Sequence, residues 1–409
     1  MKSARPFSLP LWSSASDVES FGALHGDCET DVVVIGAGMT GITAANRLVA
    51  DGKRVIVVER DAVASGETGQ TTAHLTEVTD TRYRAMVSDF GAEVATGVAR
   101  ASREAIAQIE AIARTIPCDF ERLPAYLFCY SEKEVEPLQR ELVSMTDAGL
   151  AATMVSRVPF PFAVQMGIRI DRQAQFQPRA YVRGLAGRVR AAGAVISEGT
   201  TVLSIEDADP CRVVTDRGTI LCRDVVIAAH GVGAKSAAPA TKLRASRTYV
   251  VAGRVATPPP YGLFWDTLEP YHYVRTVQTD RGRLLVIGGE DHRLGDGTES
   301  EERFGALAHY ARSHFGMSSP EYRWSGQVTT SVDGLPMIGR TSGSEHVYVA
   351  AAFGGNGMTF GVIAGNVLAD AIAGRENRDA SIFSPTRCTL GGAPRLVGRS
   401  DDVRRSFAG

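Results

Sequence analysis

The sequence has few cysteines, and they form no metal-binding or disulfide pattern. Six cysteines are scattered over 409 residues, none in a C-x-x-C pair and none at zinc-ligand spacing from a histidine. This arrangement argues against a structural zinc site or an iron–sulfur cluster, and we expect no bound metal. In a chain of this length it indicates reduced thiols, so we expect a cytoplasmic protein.

Strong charge of one sign and long apolar runs are also missing. The formal net charge is −2, and the basic residues between Arg395 and Arg405 are diluted by Asp401 and Asp402. No apolar run approaches the roughly 18 residues of a membrane-spanning helix, and prolines interrupt the short apolar part of the N-terminus. We therefore expect no signal peptide, and neither nucleic acid nor a membrane among the partners.

What the sequence does contain is a strand–turn–helix–strand pattern near its start. Residues 31–35, DVVVI, form the β-branched run that is typical of a buried parallel strand. GAGMTG at 36–41 opens a helical pattern that ends at Gly52, and KRVIVVER at 53–60 supplies the next strand. The order of these elements predicts a Rossmann-like nucleotide-binding unit.

Each part of this unit suits an adenine dinucleotide. Gly36 allows the tight turn, Gly38 lets the backbone approach a pyrophosphate, and Gly41 lets the helix pack closely on the strand. Glu59 is placed to accept hydrogen bonds from a ribose, and an acid here favours FAD or NAD over NADP. The same pattern makes Met39, Thr40 and Arg60 candidate cofactor contacts.

A second glycine-rich segment lies near the end of the chain, at 351–374. An apolar strand runs into a Gly-Gly-Asn-Gly turn and then into a helix with small residues on one face. Its helix start would suit the pyrimidine edge of a flavin, where negative charge appears on reduction. The alternative is a tightly packed turn without a ligand. The candidate contacts are Gly355, Asn356, Gly357, Met358 and Thr359.

These motifs resemble those of the D-amino-acid oxidase-like FAD-dependent amine oxidoreductases, a group that includes glycine oxidase, monomeric sarcosine oxidase and gamma-glutamylputrescine oxidase. The resemblance is carried by TDVVVIGAGMTG with SGETGQTTAHLT behind it, by DRGTILCRDVVIAAHG (216–231), and by DGLPMIG (333–339) followed by GGNGMTFG. It implies FAD as the cofactor. It also extends the expected cofactor contacts to Val202, Ala229, His230 and Gly231, with His230 more often a hydrogen-bonding spacer than a base.

The likeness is closest to members of the group that carry a C-terminal Rieske domain. They share patterns such as LFWDTLEPYHYVRT (263–276) and VIGGEDHRLG (286–295). No Cys and His ligand pairs follow IFSPTR, so we expect this chain to lack that domain. Val328 stands near the place of the substrate-binding arginine of glycine oxidase. Leu285 and Val286 stand at the place of the oxygen-activating lysine of sarcosine oxidase, so neither function carries over.

The polar loop GETGQTTAHLT, residues 66–76, follows the strand that ends at Glu59. We expect it to run along the dinucleotide toward the isoalloxazine, with small residues letting the backbone approach and hydroxyls satisfying cofactor oxygens. Its candidate contacts are Gly66, Thr71, Thr72, Ala73, His74, Leu75 and Thr76. Some related enzymes attach FAD through an early histidine. For His74, a covalent link, a non-covalent contact and a packing role are all open.

The resemblance implies an α/β fold, α+β overall. A Rossmann-like FAD-binding domain would be interleaved with a substrate domain built on an antiparallel sheet with helices. We assign residues 28–90, 155–245 and 325–390 to the FAD domain, 91–154 and 246–324 to the substrate domain, and 391–409 to a C-terminal tail.

In the substrate domain, EPYHYVRT alternates with period 2, which places Tyr271, Tyr273 and Arg275 on one face of a strand. The guanidinium could bind a carboxylate as a fork, and the phenol could hydrogen-bond the substrate. Tyr273 falls where related oxidases carry an active-site tyrosine. The alternative is an amphipathic strand whose aromatic residues pack against a neighbour.

Two further side chains are candidates for the substrate pocket. Trp265 is either a wall of the pocket or part of the core. Arg293, which follows His292 at a strand end, could reach an acid group of the substrate, and the alternative is a solvated turn.

The implied activity is FAD-dependent oxidation of primary or secondary amines, such as glycine, sarcosine or iminodiacetate. Hydride would leave the carbon next to the nitrogen for flavin N5, water would hydrolyse the imine, and O2 would be reduced to hydrogen peroxide. One alternative is an amine dehydrogenase that passes electrons to a carrier protein. Another is a non-catalytic FAD-binding protein.

Overall fold

In the part of the chain that the structure describes, helices pack on two β-sheets, which confirms the expected mixed α/β architecture. The computed structural model describes residues 10–14, 20–230, 243–295 and 300–387. The predicted tail, 391–409, and the candidate contact Gly231 lie outside these ranges. Within them, no helix is both long and apolar enough to cross a membrane.

The elements are numbered in chain order. The strands are β1 Cys28–Ile35, β2 Val55–Val58, β3 His74–Leu75, β4 Glu121–Cys129, β5 Ala152–Val155, β6 Met166–Gln175, β7 Val195–Ser197, β8 Val202–Glu206, β9 Cys211–Thr215, β10 Gly218–Ile227, β11 Leu243–Gly253, β12 Leu263–Asp266, β13 His272–Thr279, β14 Gly282–Arg293, β15 Tyr322–Ser331, β16 Met337–Arg340 and β17 Val347–Ala351. The α-helices are α1 Met39–Ala50, α2 Glu67–Gln70, α3 Tyr83–Phe90, α4 Ala92–Ala113, α5 Val135–Asp147, α6 Pro178–Ala191, α7 Ser300–Phe315, α8 Gly357–Ile372 and α9 Ala380–Phe383. Short 3-10 helices span Leu11–Ser14 and Glu132–Glu134.

The first sheet contains the predicted nucleotide-binding unit. Its main order is β16-β17-β10-β1-β2-β7, with β8 and β9 paired beside β10. Strand β1 lies between β10 and β2 and is parallel to both. Since the carboxyl ends of β1 and β2 meet at one edge, the turn at Gly36 and the acid Glu59 lie next to each other.

Helices α1 and α8 pack directly against each other over this sheet. A Cβ on Gly365 of α8 would come 2.6 Å from Cγ2 of Thr43 in α1, so only glycine permits this approach. A Cβ on Gly361 would lie 3.1 Å from Met39 Cγ. The small residues of the second glycine-rich segment therefore bring the starts of the two helices together.

The second sheet has the order β15-β11-β14-β13-β12-β4-β6-β3, with β5 beside β6. Its pairs are antiparallel except β12 with β4. One face packs on α7 through Phe304, Leu307 and Phe315. On the opposite face, the 3-10 helix Leu11–Ser14 packs against the sheet through Leu11 and Trp12.

The division into two domains stays a prediction, and the sheets follow it with exceptions. The strands of the first sheet all fall in the ranges assigned to the FAD domain. Strands β3 and β6 also fall in those ranges but pair in the second sheet, and β15 crosses the assigned boundary at residue 325. Strand pairing over such separations depends on tertiary contacts, which local sequence patterns do not contain.

Candidate active site

A large cavity lies between the two sheets, with a volume of about 1240 Å³. At one end its wall includes Glu59, Arg60 and residues 200–205, and at the other Trp265, Tyr273 and Arg293. Small-molecule sites usually measure roughly 300–1,000 Å³. This cavity therefore has room for a dinucleotide together with a small substrate.

The first end of the cavity has the geometry that a dinucleotide requires. Gly36 has φ +101°, and a Cβ there would lie 2.8 Å from the carbonyl oxygen of Ala228. The start of α1 opens onto the cavity through Gly38, Met39 and Thr40. Gly41 lies behind this wall rather than on it, and its closeness to Gly36 holds the turn. The residues present thus fit a bound pyrophosphate.

Glu59 lines the cavity directly after the end of β2. Its Oε2 accepts a hydrogen bond from the Ala37 amide at 2.8 Å, and its Oε1 accepts one from the Asp61 amide at 3.0 Å. These bonds orient the carboxylate and leave lone pairs for a ribose hydroxyl. Arg60 and Val202 also line this end, and Ala229 and His230 line the cavity beside β10.

The Gly-Gly-Asn-Gly turn closes another part of the wall, where Gly355, Asn356, Gly357 and Met358 line the cavity. The Asn356 side chain accepts from the Asp80 amide and donates to the Val78 carbonyl, each at 3.0 Å. The side chain therefore ties the turn to residues 78–80, so a cofactor would meet the backbone of the turn. Thr359 does not line the cavity as predicted, because it is buried with its hydroxyl 3.5 Å from the Thr76 carbonyl.

In the loop 66–76, five predicted contacts line the cavity: Gly66, Thr71, Thr72, His74 and Thr76. Ala73 and Leu75 do not line the cavity, contrary to the prediction, because both are fully buried. They alternate with His74 and Thr76 along the chain, so their side chains point to the opposite side. Ala73 also has φ +57°, a conformation uncommon for a residue with a side chain.

His74 is presented to the cavity among aromatic side chains. Its Nδ1 lies 3.0 Å from Thr72 Oγ1, and its ring is 5.2 Å from Trp265 and edge-on to Tyr273 at 5.7 Å. Burial, and then the charge of Arg275, lower the pKa of His74 to about 3. The imidazole is therefore neutral at physiological pH.

Tyr273, Tyr271 and Trp265 all line the second end of the cavity. The Tyr273 hydroxyl lies 2.9 Å from Thr248 Oγ1, which fixes the direction of the phenol. Gly288 in β14 makes room for this ring, because a Cβ there would lie 2.1 Å from Tyr273 Cζ. Gly288 was not among the predicted site residues, although a Gly-Gly pair inside a strand is a signal of close approach.

Arg275 is placed differently from the prediction. It shares a face of β13 with Tyr273, but the loop 66–76 and Trp12 cover this end of the strand. Its side chain is 2% exposed, and Nη1 donates to the carbonyls of Thr72 at 2.6 Å and Ala73 at 2.9 Å. Arg275 is not part of the cavity wall and so is not positioned to bind a substrate carboxylate.

Several charged or polar side chains approach the cavity from β11, β14 and α7. Arg293 lines it at the exposed end of β14, together with His292, Arg244 and Arg303. Val328 also lines it, whereas Leu285 and Val286 are buried in the second sheet. Arg244 and Arg303 were not among the predicted site residues, because they lie in no recognisable motif.

Glu67, also missed, joins the loop 66–76 to β15. Its Oε2 accepts a hydrogen bond from the Gln327 amide at 2.9 Å. Burial raises the pKa of this carboxyl, while His230, the Gln327 amide and Arg247 oppose the shift.

On the opposite face of β13 from Tyr273, His272 is buried and held between two carboxylates. Its Nδ1 lies 2.9 Å from Asp266 and its Nε2 3.5 Å from Glu290, and its ring stacks on Tyr310 at 3.9 Å. Burial by itself lowers the pKa of His272, but the hydrogen bonds to Asp266 and Glu290 outweigh it and raise the pKa to about 9. The imidazolium therefore persists at neutral pH.

The contacts of His272 with Asp266 and Glu290 predict that the stability of the protein depends on pH. The folded pKa lies above the ordinary 6.5, so the stabilisation is complete below pH 6.5 and disappears as the pH rises to about 9. We expect the free energy of unfolding to fall by at most about 3 kcal/mol over this range. Urea titrations at several pH values measure this free energy of unfolding. The variant His272→Gln should lose this dependence and His309→Gln, at an exposed position, should keep it; identical profiles for both variants would contradict the prediction.

Comparison with known proteins agrees with this geometry. A sequence profile of the family described as FAD dependent oxidoreductase matches residues 31–371. The chain is 30% identical over 404 residues to a putative Rieske 2Fe-2S iron–sulfur protein of Bacillus subtilis, with 96% of this chain and 79% of that protein covered. It is 27% identical over 356 residues to the glycine oxidase of Bacillus licheniformis, with 84% and 93% covered.

A solved structure gives the same result for the fold. The crystal structure of glycine oxidase from Geobacillus kaustophilus matches with a TM-score of 0.75 at 20% identity, covering 88% of this chain and 99% of that chain. The family match over residues 31–371 confirms the predicted resemblance, the oxidoreductase class and the FAD cofactor. The chain belongs to the FAD dependent oxidoreductase family, and FAD is its cofactor.

Proposed function

We propose that this protein oxidises primary or secondary amines, such as amino acids or N-carboxymethyl amines, and passes the electrons to O2. The observation that carries the proposal is the aromatic end of the cavity, where Trp265 and Tyr273 contact a neutral His74. Tyr271 lines the same end and lies against Tyr273. The name of the glycine oxidase relative supports this substrate class.

The cofactor would be held by residues of the first sheet and its helices. The start of α1 at Gly38 would bind the pyrophosphate, Glu59 the ribose, and the backbone of residues 355–358 the pyrimidine edge. Bound FAD would supply the acceptor for a hydride from the carbon next to the amine nitrogen. Water would hydrolyse the resulting imine, and O2 would take up the two electrons to give hydrogen peroxide.

The second end of the cavity would bind and orient the amine. Because His74 is neutral, it adds no positive charge that would repel an amine or its ammonium form. The Tyr273 hydroxyl, directed by Thr248, would donate a hydrogen bond to the substrate. Because Arg275 is covered, Arg293 supplies the guanidinium that would bind a substrate carboxylate.

The test of this function is anaerobic mixing of the purified holoenzyme with glycine, sarcosine and iminodiacetate. We expect at least one of these amines to bleach the visible flavin absorbance, and air to restore it with formation of hydrogen peroxide. The matching alcohol, glycolate, serves as a control that should leave the flavin oxidised. A flavin that every amine leaves oxidised would refute the proposal and favour a non-catalytic FAD-binding protein.

A second candidate is an amine dehydrogenase that uses a carrier protein instead of O2. Two observations favour it: Leu285 and Val286 are apolar and buried, and a relative is described as a Rieske iron–sulfur protein. Stopped-flow reoxidation distinguishes the two candidates. Fast bleaching by an amine followed by slow reoxidation in air, with little peroxide, would identify the dehydrogenase.

A further inference from the structure

Four consecutive carbonyl groups, those of residues 70–73, accept hydrogen bonds from buried side chains. The donors are Trp12, Arg275 and Trp324, which we call the carbonyl clamp. The bonds are Trp324 Nε1 to Gln70 O at 2.8 Å, Trp12 Nε1 to Thr71 O at 2.8 Å, and Arg275 Nη1 to Thr72 O at 2.6 Å and Ala73 O at 2.9 Å. The backbone of this loop segment is thus held residue by residue.

The donors of the clamp come from three separate parts of the chain. Trp12 belongs to the 3-10 helix Leu11–Ser14, Arg275 to β13 and Trp324 to β15. Their side chains are only 2–3% exposed, and none lines the cavity. Gln70, by contrast, lines the cavity, as do the two residues after it. The segment therefore forms a wall whose carbonyl groups are bound on the side away from the cavity.

The clamp is itself rigidly packed. The Arg275 guanidinium lies 5.5 Å from the centre of the Trp12 ring, a cation–π contact. Both tryptophans belong to one apolar cluster with Val250, Val277 and other residues of the second sheet. Burial lowers the pKa of Arg275 to about 9, so the group remains a cation at neutral pH.

We propose that the carbonyl clamp positions residues 70–73 for FAD, so that the segment Leu11–Ser14 and the second sheet take part in cofactor binding. Carbonyl oxygens that faced the cavity would repel the phosphates and ring oxygens of FAD, and the clamp directs them away. It also maintains the positive φ of Ala73, which presents His74 to the cavity. The clamp residues are positioning residues, because none of them lines the cavity.

The first test uses the full-length variant Trp12→Phe, which keeps the ring and removes one hydrogen-bond donor. We expect the FAD dissociation constant to rise about tenfold, as the loss of one buried hydrogen bond implies. In the apoprotein, the amides of residues 71–74 should exchange hydrogen faster. Val277→Ala is the control, since Val277 packs in the same apolar cluster but holds no carbonyl of the loop.

Comparing the two variants at equal loss of thermal stability distinguishes positioning of the loop from a merely structural role. If Trp12→Phe and Val277→Ala weaken FAD binding equally, and exchange at residues 71–74 is the same in both, the proposal is overturned. These measurements need no substrate, so they remain valid if the amine proposal fails.

Arg275 gives a second, independent test through a conservative pair. Arg275→Lys keeps the charge and a donor, whereas Arg275→Met keeps the approximate length and removes both. We expect Arg275→Met to weaken FAD binding by about 100-fold, and Arg275→Lys to restore part of that loss. Equal FAD affinity in the lysine, methionine and wild-type proteins would refute a role of the guanidinium in positioning the loop.

Discussion

Replacing Gly41 with Ala is expected to reduce FAD affinity by at least about 100-fold. A Cβ at this position would lie 1.9 Å from the carbonyl oxygen of Gly36 and 3.2 Å from Val34 Cγ1. The first contact is with backbone, so it can be relieved only by opening the turn between β1 and α1. That turn is the part of the site that would hold the pyrophosphate.

The matched control is Gly187→Ala in α6. A Cβ there meets nothing within 4 Å. Alanine in place of glycine within a helix is expected to stabilise the protein by up to about 1 kcal/mol and to leave FAD affinity unchanged. Quenching of flavin fluorescence on titration with apoprotein measures the affinity of each variant. A Gly41→Ala protein that binds FAD as tightly as the wild type would show that the turn tolerates a side chain.

The second large effect is expected from Gly288→Ala, which should lower the rate of flavin reduction by amine about 100-fold. The added Cβ would overlap the Tyr273 ring, lying 2.1 Å from Cζ and 2.4 Å from the hydroxyl oxygen. Since a side chain can move more easily than the backbone, Tyr273 should leave its place beside Thr248. Misplacement of a substrate-orienting group by about 1 Å can cost a factor of about 100 in rate.

Two companion variants show whether Tyr273 accounts for this loss. Tyr273→Phe should cost about tenfold, because it removes the hydroxyl and keeps the ring. Gly305→Ala in α7 should be neutral, because its Cβ would meet nothing within 4 Å. All three variants should bind FAD as the wild type does. Anaerobic stopped-flow absorbance with the most reactive amine measures the rates, and an unchanged rate in Gly288→Ala would contradict the packing argument.

The dinucleotide end of the site could be predicted from sequence because its parts are close together in the chain. The turn at Gly36, helix α1 and the acid Glu59 span about one strand–helix–strand unit, so hydrophobic periodicity and glycine spacing determine their arrangement. The loop 66–76 follows the same unit closely in the chain, and five of its candidate residues line the cavity. Its residues Ala73 and Leu75 do not line the cavity. The period-2 alternation that turns them away becomes evident only once β3 pairs with β6.

The aromatic end of the cavity could be predicted only in part. Tyr271 and Tyr273 follow from alternation along β13, and both line the cavity. The same alternation places Arg275 on their face, but it carries no information about what covers that face. The side chain of Trp12 and the backbone of the loop 66–76 cover that face, and both come from other parts of the chain.

The sequence by itself determined that this protein has a strand–turn–helix pattern of the kind that binds a dinucleotide, belongs with the FAD-dependent oxidoreductases, and has tyrosines that alternate along one face of a strand. Only the tertiary structure decided which side chains contact the cavity and which support it. The clamp bonds join residues 59, 203 and 254 positions apart, for Trp12, Arg275 and Trp324 respectively. Contacts over such separations arise from the packing of the two sheets against each other, and no local pattern of residues encodes them.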